Sequence, residues 1–108
     1  MDTNVLRGNI ALSALLGVTL SPASVANATT AEQTFTVTGL QVGDFVNVTK
    51  PTTQAGLGIV NSRVSAANTL AITFSNSTAA TITPTASEVY TVAVDRPTVT
   101  TLPSALQA

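Results

Sequence analysis

From Thr34 onward, apolar and polar residues alternate with a period of two. In Thr34 to Leu40 (TFTVTGL), Phe35 and Val37 fall on one side and Thr34, Thr36 and Thr38 on the other, the pattern of a half-buried strand. Gly39 ends it. Asp44 to Thr49 (DFVNVT) predicts a second strand, closed by Lys50-Pro51 because proline cannot donate to a central ladder. Leu57 to Val64 and Thr69 to Phe74 predict two more, joined by Ser65 to Asn68 (SAAN), a connection of hairpin length. Leu70, Ile72 and Phe74 share one face of the latter, with Ala71 and Thr73 opposite. Ala80 to Thr83 predicts a short, weaker strand stopped by Pro84. Glu88 to Val94 (EVYTVAV) predicts a clearer one, with Tyr90, Val92 and Val94 on one face.

Strands at regular intervals, separated by turn residues and with no helical stretch among them, point to an all-β sandwich or barrel. Val18 to Pro22, followed by Ala23-Ser24-Val25, reads as a first strand broken by a proline kink, a common opening for immunoglobulin-like domains. Tyr90 follows the loop Pro84 to Ser87, where such sandwiches often carry a corner tyrosine. The expected fold is therefore an all-β, immunoglobulin-like β-sandwich over residues 18–95, with an N-terminal arm over 1–17 and an extended C-terminal tail over 96–108. The pattern lacks a good closing strand after Val94. Thr98 to Leu102 (TVTTL), between Pro97 and Pro103, is the candidate, and without it an edge stays open to a neighbour.

The N-terminal stretch contains IALSALLGV, which supports more than one reading. It matches the apolar core of a secretion signal, with Ala26-Asn27-Ala28 as a cleavage site, and on that reading the protein is a secreted bacterial surface domain. Against this, the leading segment holds Asp2 and a single Arg7, and the apolar run is short and interrupted. It is too short to span a bilayer. The preferred expectation is an arm or short helix whose Ile10, Leu12, Leu15 and Leu16 pack on the sandwich or on a partner.

Composition narrows the functional classes. A chain of 108 residues holds one small core. It has no Cys and no His, which removes disulfides, thiolate metal sites, the commonest general base and the commonest transition-metal ligand. The charged residues Asp2, Arg7, Glu32, Asp44, Lys50, Arg63, Glu88, Asp95 and Arg96 are scattered singly, so no basic face for nucleic acid is expected. A surface so poor in charge suits Thr-faced strands, or one covered by other subunits.

Catalytic constellations are missing. No spacing favours any pair of the five carboxylates for glycosidase chemistry. No histidine serves a serine nucleophile, and Lys50 sits at a strand end beside Pro51. Gly56-Leu57-Gly58 lacks the helix and GK[ST] of a phosphate loop and reads better as close backbone approach or a bulge. Asp44 and Asn47 with carbonyl oxygens are a candidate Ca²⁺ set, against the plainer reading of Asp44 as a turn residue. Asn27-Ala28-Thr29, Asn47-Val48-Thr49 and Asn76-Ser77-Thr78 match the N-glycosylation pattern, as expected by chance in an Asn- and Thr-rich chain. Neither enzymatic activity nor a cofactor is expected.

The run from TVTGLQVGDF through GLGIVNSRVSAANTLAITF to TPTASEVYTVAV resembles a module of small virion-associated proteins of tailed bacteriophages. In those, GLGIVN-R-VSA-(N/D)-TLAITF is followed by a T-A-x-x-I-T-P turn and a Y-T-V strand. The resemblance covers about Ser21 to Pro97 and carries over no functional residues. It implies a β-sandwich on the outer surface of a phage head: a capsid decoration or cement protein, homotrimeric at a threefold position and bound to the major capsid protein. Contact area and multiplicity serve such a role better than a reactive side chain. The ends are then expected to carry the contact, through Leu6, Ile10, Leu12, Leu15, Leu16, Val99, Leu102 and Leu106, and to be removable without unfolding the sandwich. The alternative is an immunoglobulin-like module on a tail or fibre that binds a host-surface glycan. Phe35, Phe74 and Tyr90 fall on core-directed faces, which leaves Phe45 as the aromatic of open direction for stacking on a sugar.

Overall fold

The computed structural model describes residues 8–106. Six strands follow in order: β1 (Ile10–Leu20), β2 (Thr29–Thr36), β3 (Phe45–Thr49), β4 (Leu57–Ala66), β5 (Thr69–Asn76) and β6 (Glu88–Pro97). Among the described residues there is no helix. The strands form two three-stranded sheets, ordered β1-β6-β3 and β2-β5-β4, and every pairing is antiparallel. The all-β expectation holds.

Period-two alternation determines which side chains meet between the sheets. Val46 and Val48 of β3, Leu70, Ile72 and Phe74 of β5, and Tyr90, Val92 and Val94 of β6 are buried in one cluster with Leu20, Val25, Val37, Leu40 and Val64. The two central strands, β5 and β6, each flanked on both sides, supply its largest side chains, Tyr90 and Phe74. Removing this apolar area from water is the main favourable term of the fold.

The hairpin β4–β5 turns on Ala67 and Asn68 alone, with Ala66 opposite Thr69. Asn68 takes φ of 59°, a left-handed conformation that Asn tolerates better than most residues. Its peptide groups and side chain also staple the neighbouring loop. Asn68 N donates to Leu40 O, and Val37 N and Gly39 N donate to Asn68 O and Oδ1.

Several expectations are corrected. The stretch read as an arm over 1–17 contains most of β1, which pairs with β6 from Leu12↔Arg96 to Leu20↔Glu88. Both expected domain limits, at 17/18 and 95/96, fall inside strands. Sheet closure therefore comes from the N-terminal side, and Thr98 to Leu102 forms no strand. Ala80 to Thr83 contributes one isolated bridge, Val25↔Ile82. β2 starts at Thr29 rather than Thr34, because pairing with β5 extends it through inward positions held by Ala31 and Gln33, which give no apolar signal. Tyr90 is wholly buried and its hydroxyl has no hydrogen-bond partner, so it makes no corner bond to the backbone. Gly56 has φ of 82°, and a Cβ there would collide with Thr78 Cγ2, which bears out close approach at that glycine; nothing lies within 4 Å of a Cβ built on Gly58.

Candidate interaction surfaces

Charge on this molecule is spent inside it. Six of the seven described ionic side chains form three pairs: Lys50–Glu88, Arg63–Glu32 and Arg96–Asp44, at 2.8 to 2.9 Å. Arg63 of β4 reaches across the central strand to Glu32 of β2 with two hydrogen bonds and roofs the outer face of that sheet. Ala71 lies on that same outer face and is nonetheless wholly buried, since a small side chain leaves room for the bridge. The rest of the face is mainly Thr and Ser from β2 and β5 with Asn61 from β4, and Val60 stands exposed at the bulge before Asn61.

Asp44 precedes β3 and Arg96 lies near the end of β6, so sheet pairing brings them together. Arg96 Nε donates to Asp44 Oδ1 and Nη2 to Oδ2, both at 2.8 Å, and Gln41 N donates to Oδ2 at 3.0 Å. The Asp44 side chain is only 1 % exposed. Hydrogen bonding from Arg96 holds its carboxyl below the usual range against the opposing effect of burial, and the Gln41 N–H adds to the depression. The expected Ca²⁺ set is not brought together: Asp44 is buried and bonded to Arg96 and Gln41, whereas Asn47 is exposed on the outer face. Among the described residues no three metal-ligating side chains gather. Glu88 is likewise depressed, first by the Thr52 hydroxyl and then by Lys50, which itself donates to Thr52.

Acid stability follows from these signs. Both carboxyls have folded pKa values below their unfolded ones, so their stabilisation is complete above the unfolded values, about 3.9 and 4.3, and is lost as pH falls through the folded values. Urea midpoints are expected to be level from neutral pH down to about pH 5 and to fall below about pH 4. Asp44→Asn should flatten that acid limb. An unchanged limb in Asp44→Asn would show that the pair does not govern it.

The outer face of the β1-β6-β3 sheet differs. Across it run the rows Ser13–Asp95–Phe45 and Leu15–Ala93–Asn47, with Val89 further along. Leu15 is 74 % exposed and Phe45 66 % exposed. Phe45 points outward because Val46 and Val48 must point inward, which resolves the direction left open by the sequence. Asp95, the described ionic residue outside the three pairs, sits between Ser13 and Phe45 on this face.

The expected contact residues separate into groups. Ile10 and Leu102 line one cleft of about 310 Å³ with Phe45, Pro97 and Pro103. Val99 and Leu102 line an adjoining hollow with Val42. Leu12 and Leu16 face the inner side of β1 in a groove with Leu40 and Val94, and Leu16 packs partly on the core. Leu15 lies on the opposite face from these two, and Leu106 is exposed near the end of the tail. Leu6 lies outside the described residues. Exposed Val42, in the loop before β3, was not anticipated; its neighbour Gly43 has φ of 100°, and this bend aims the loop at the tail.

Of the three glycosylation matches, Asn47 and Asn27 are exposed, but Asn76 is buried and internally bonded. Its Nδ2 donates to Val25 O and Ala80 O, and its Oδ1 accepts from Thr78 N and Oγ1. A glycan cannot be carried there in the folded state. No family model, no curated protein and no solved structure matches the chain.

Proposed function

We propose that this protein is a structural component of a bacteriophage particle, a decoration or cement protein seated on the outside of the head against the major capsid protein. The observation that supports this reading best is the division of its surface. Six of the seven described ionic side chains are paired within the chain, whereas Val42, Phe45, Val99 and Leu102 gather exposed at one end of the β1-β6-β3 sheet, where Asp95, the seventh, lies beside them. Apolar surface clustered in this way gains free energy when a partner covers it, and no reactive side chain competes for the role. We read the two three-stranded layers as an immunoglobulin-like sandwich serving as a rigid wedge. The phage setting comes from the resemblance of the GLGIVNSRVSAANTLAITF region. The wedge is non-enzymatic and needs no cofactor, nucleic acid or membrane.

Copy number in purified particles, counted against the major capsid protein, tests this. A near-stoichiometric ratio is expected, and Phe45→Ala combined with Leu102→Ala should lower occupancy without lowering the melting temperature. A handful of copies, or full occupancy by the double variant, would count against it.

A second reading is favoured by one feature. Exposed Phe45 lies beside Asp95 and near Asn47, and an aromatic ring flanked by hydrogen-bonding side chains suits the face of a sugar. On that reading the protein is a glycan-binding module of a tail or fibre. Calorimetric binding of a host glycan that Phe45→Ala abolishes, together with low copy number, would establish it in place of the first.

A further inference from the structure

Two sheets have four edges, and three of them are blunted. β4 carries two breaks in register, at Ile59/Asn61 and Val64/Ala66, and the charge of Arg63. β2 carries Glu32 at its middle, and the Gln33 side chain clips the passing segment through Ala23 N and O. β3 has five residues, and the Ser62 hydroxyl of β4 donates to its Val46 carbonyl. Bulges, charges and short length are the devices that keep sheet edges from pairing with other chains.

β1 has none of them along Leu12 to Leu20. It spans 11 residues without charge or proline, and its pairing with β6 is unbroken after the irregularity at Ala11. Among the described residues, no hydrogen bond reaches its far side. The direction of its peptide groups follows from alternation in an antiparallel ladder. Since Val46 O accepts from Ser62, Val46 faces away from β6, and its partner Val94 faces β1. Thr98 N donating to Asn9 O continues the same alternation beyond the bulge. Leu12, Ala14, Leu16 and Val18 therefore bond to β6, while Ser13, Leu15, Gly17 and Thr19 present N–H and C=O to the open edge.

We propose that this edge pairs with β1 of a second copy, antiparallel about a twofold axis at Leu15, joining two three-stranded sheets into one of six strands. Leu15 is the midpoint of Ile10–Leu20, so this register engages the whole strand. It is also the most exposed large apolar side chain in any strand. Across the axis Leu15 meets its own mate and Ser13 meets Gly17. On the inner face Ala14 meets Leu16 and Leu12 meets Val18, small against large and apolar against apolar. An uncharged strand opposes no like charges when it pairs with itself. Each copy has a single open edge, so the contact is isologous and closes at two. Two-copy closure depends on the edge alone and holds wherever the protein acts. It replaces the threefold association that the phage resemblance implies.

Sedimentation velocity of the full chain over a range of concentrations should show a monomer–dimer equilibrium. Leu15→Lys should weaken it by at least about tenfold, because two lysines then meet at the axis. Leu15→Glu should do the same, and an equimolar mixture of the two should recover the dimer. Leu15 is exposed in the single chain, so at concentrations where the parent is monomeric both variants should keep its melting temperature. In this cysteine-free chain Leu15→Cys should form a covalent dimer on oxidation, since directly opposed residues about 5.5 Å apart at Cα suit a disulfide. Val89→Cys, exposed on the same face but in the central strand, should not. A monomer at every concentration, a trimer, or a dimer indifferent to Leu15→Lys would each overturn the pairing. So would an edge that is covered only when the protein sits on a capsid shell.

Discussion

A chain beginning at Thr19 is expected not to fold, whereas a chain ending at Pro97 should keep the parent's melting transition. β1 hydrogen-bonds β6 along its length, and Leu16 and Val18 pack against the core. Without it, the edge of β6 opens and water reaches Tyr90, Val92 and Val94, all now buried. Each such side chain is worth about 1.5–3 kcal/mol on burial, so the loss is comparable with the roughly 5–15 kcal/mol that holds a small domain together. Among the described residues, the tail after Pro97 is exposed and contributes one backbone hydrogen bond, Thr98 N to Asn9 O. Circular dichroism melts and amide NMR dispersion of the two truncations test this. A Thr19 truncation that melts cooperatively at the parent's temperature would show that β1 is the detachable arm the sequence suggested.

Asn76→Ala should destabilise the fold by about 3 kcal/mol, as measured by urea unfolding. Asn76 is buried at the end of β5, where its amide satisfies two carbonyls and anchors both the Val25 segment and the Thr78–Ala80 turn. Alanine leaves those groups short of partners away from water, and the isolated Val25↔Ile82 bridge loses its support. Asn76→Asp is isosteric and separates packing from hydrogen bonding. Its carboxylate would face Val25 O and Ala80 O, so burial and repulsion raise its folded pKa above the unfolded value. The destabilisation should therefore grow as pH rises from the unfolded value through the folded one, and ease in acid. Equal stability of Asn76→Asp across that range, or a negligible effect of Asn76→Ala, would show that the side chain anchors nothing.

How much was legible in the sequence varied from strand to strand. β3, β4 and β6 were readable because burial follows a period of two along them, and β5 because its outer positions hold only Thr, Ser and the small Ala71 between large inward side chains. The same alternation placed Leu70, Ile72 and Phe74 inside and left Phe45 as the aromatic to watch. β2 was half hidden, since Ala31 and Gln33 occupy its inward positions and Gln33 faces inward to clip Ala23. β1 was misread because Leu15 puts an apolar residue on the outer face beside Leu16 on the inner one, which breaks the alternation and imitates a helical or signal segment. The division of the expected contact residues between a cleft at Phe45, a groove at Leu40 and the outer face was out of reach of the sequence.

By itself, the sequence determined that this is an all-β chain, and it placed Val37, Leu70, Ile72, Phe74, Tyr90, Val92 and Val94 on faces that build its core. Those follow from local periodicity and residue chemistry, which need no knowledge of neighbours. The tertiary structure decided which strand closes the sheet, that Asp44 meets Arg96 across 52 residues of chain, that Asn76 is an internal anchor, and that one edge is left bare. These are pairings between distant segments. They are set by how the two sheets share the core, and no local pattern of hydrophobicity encodes them.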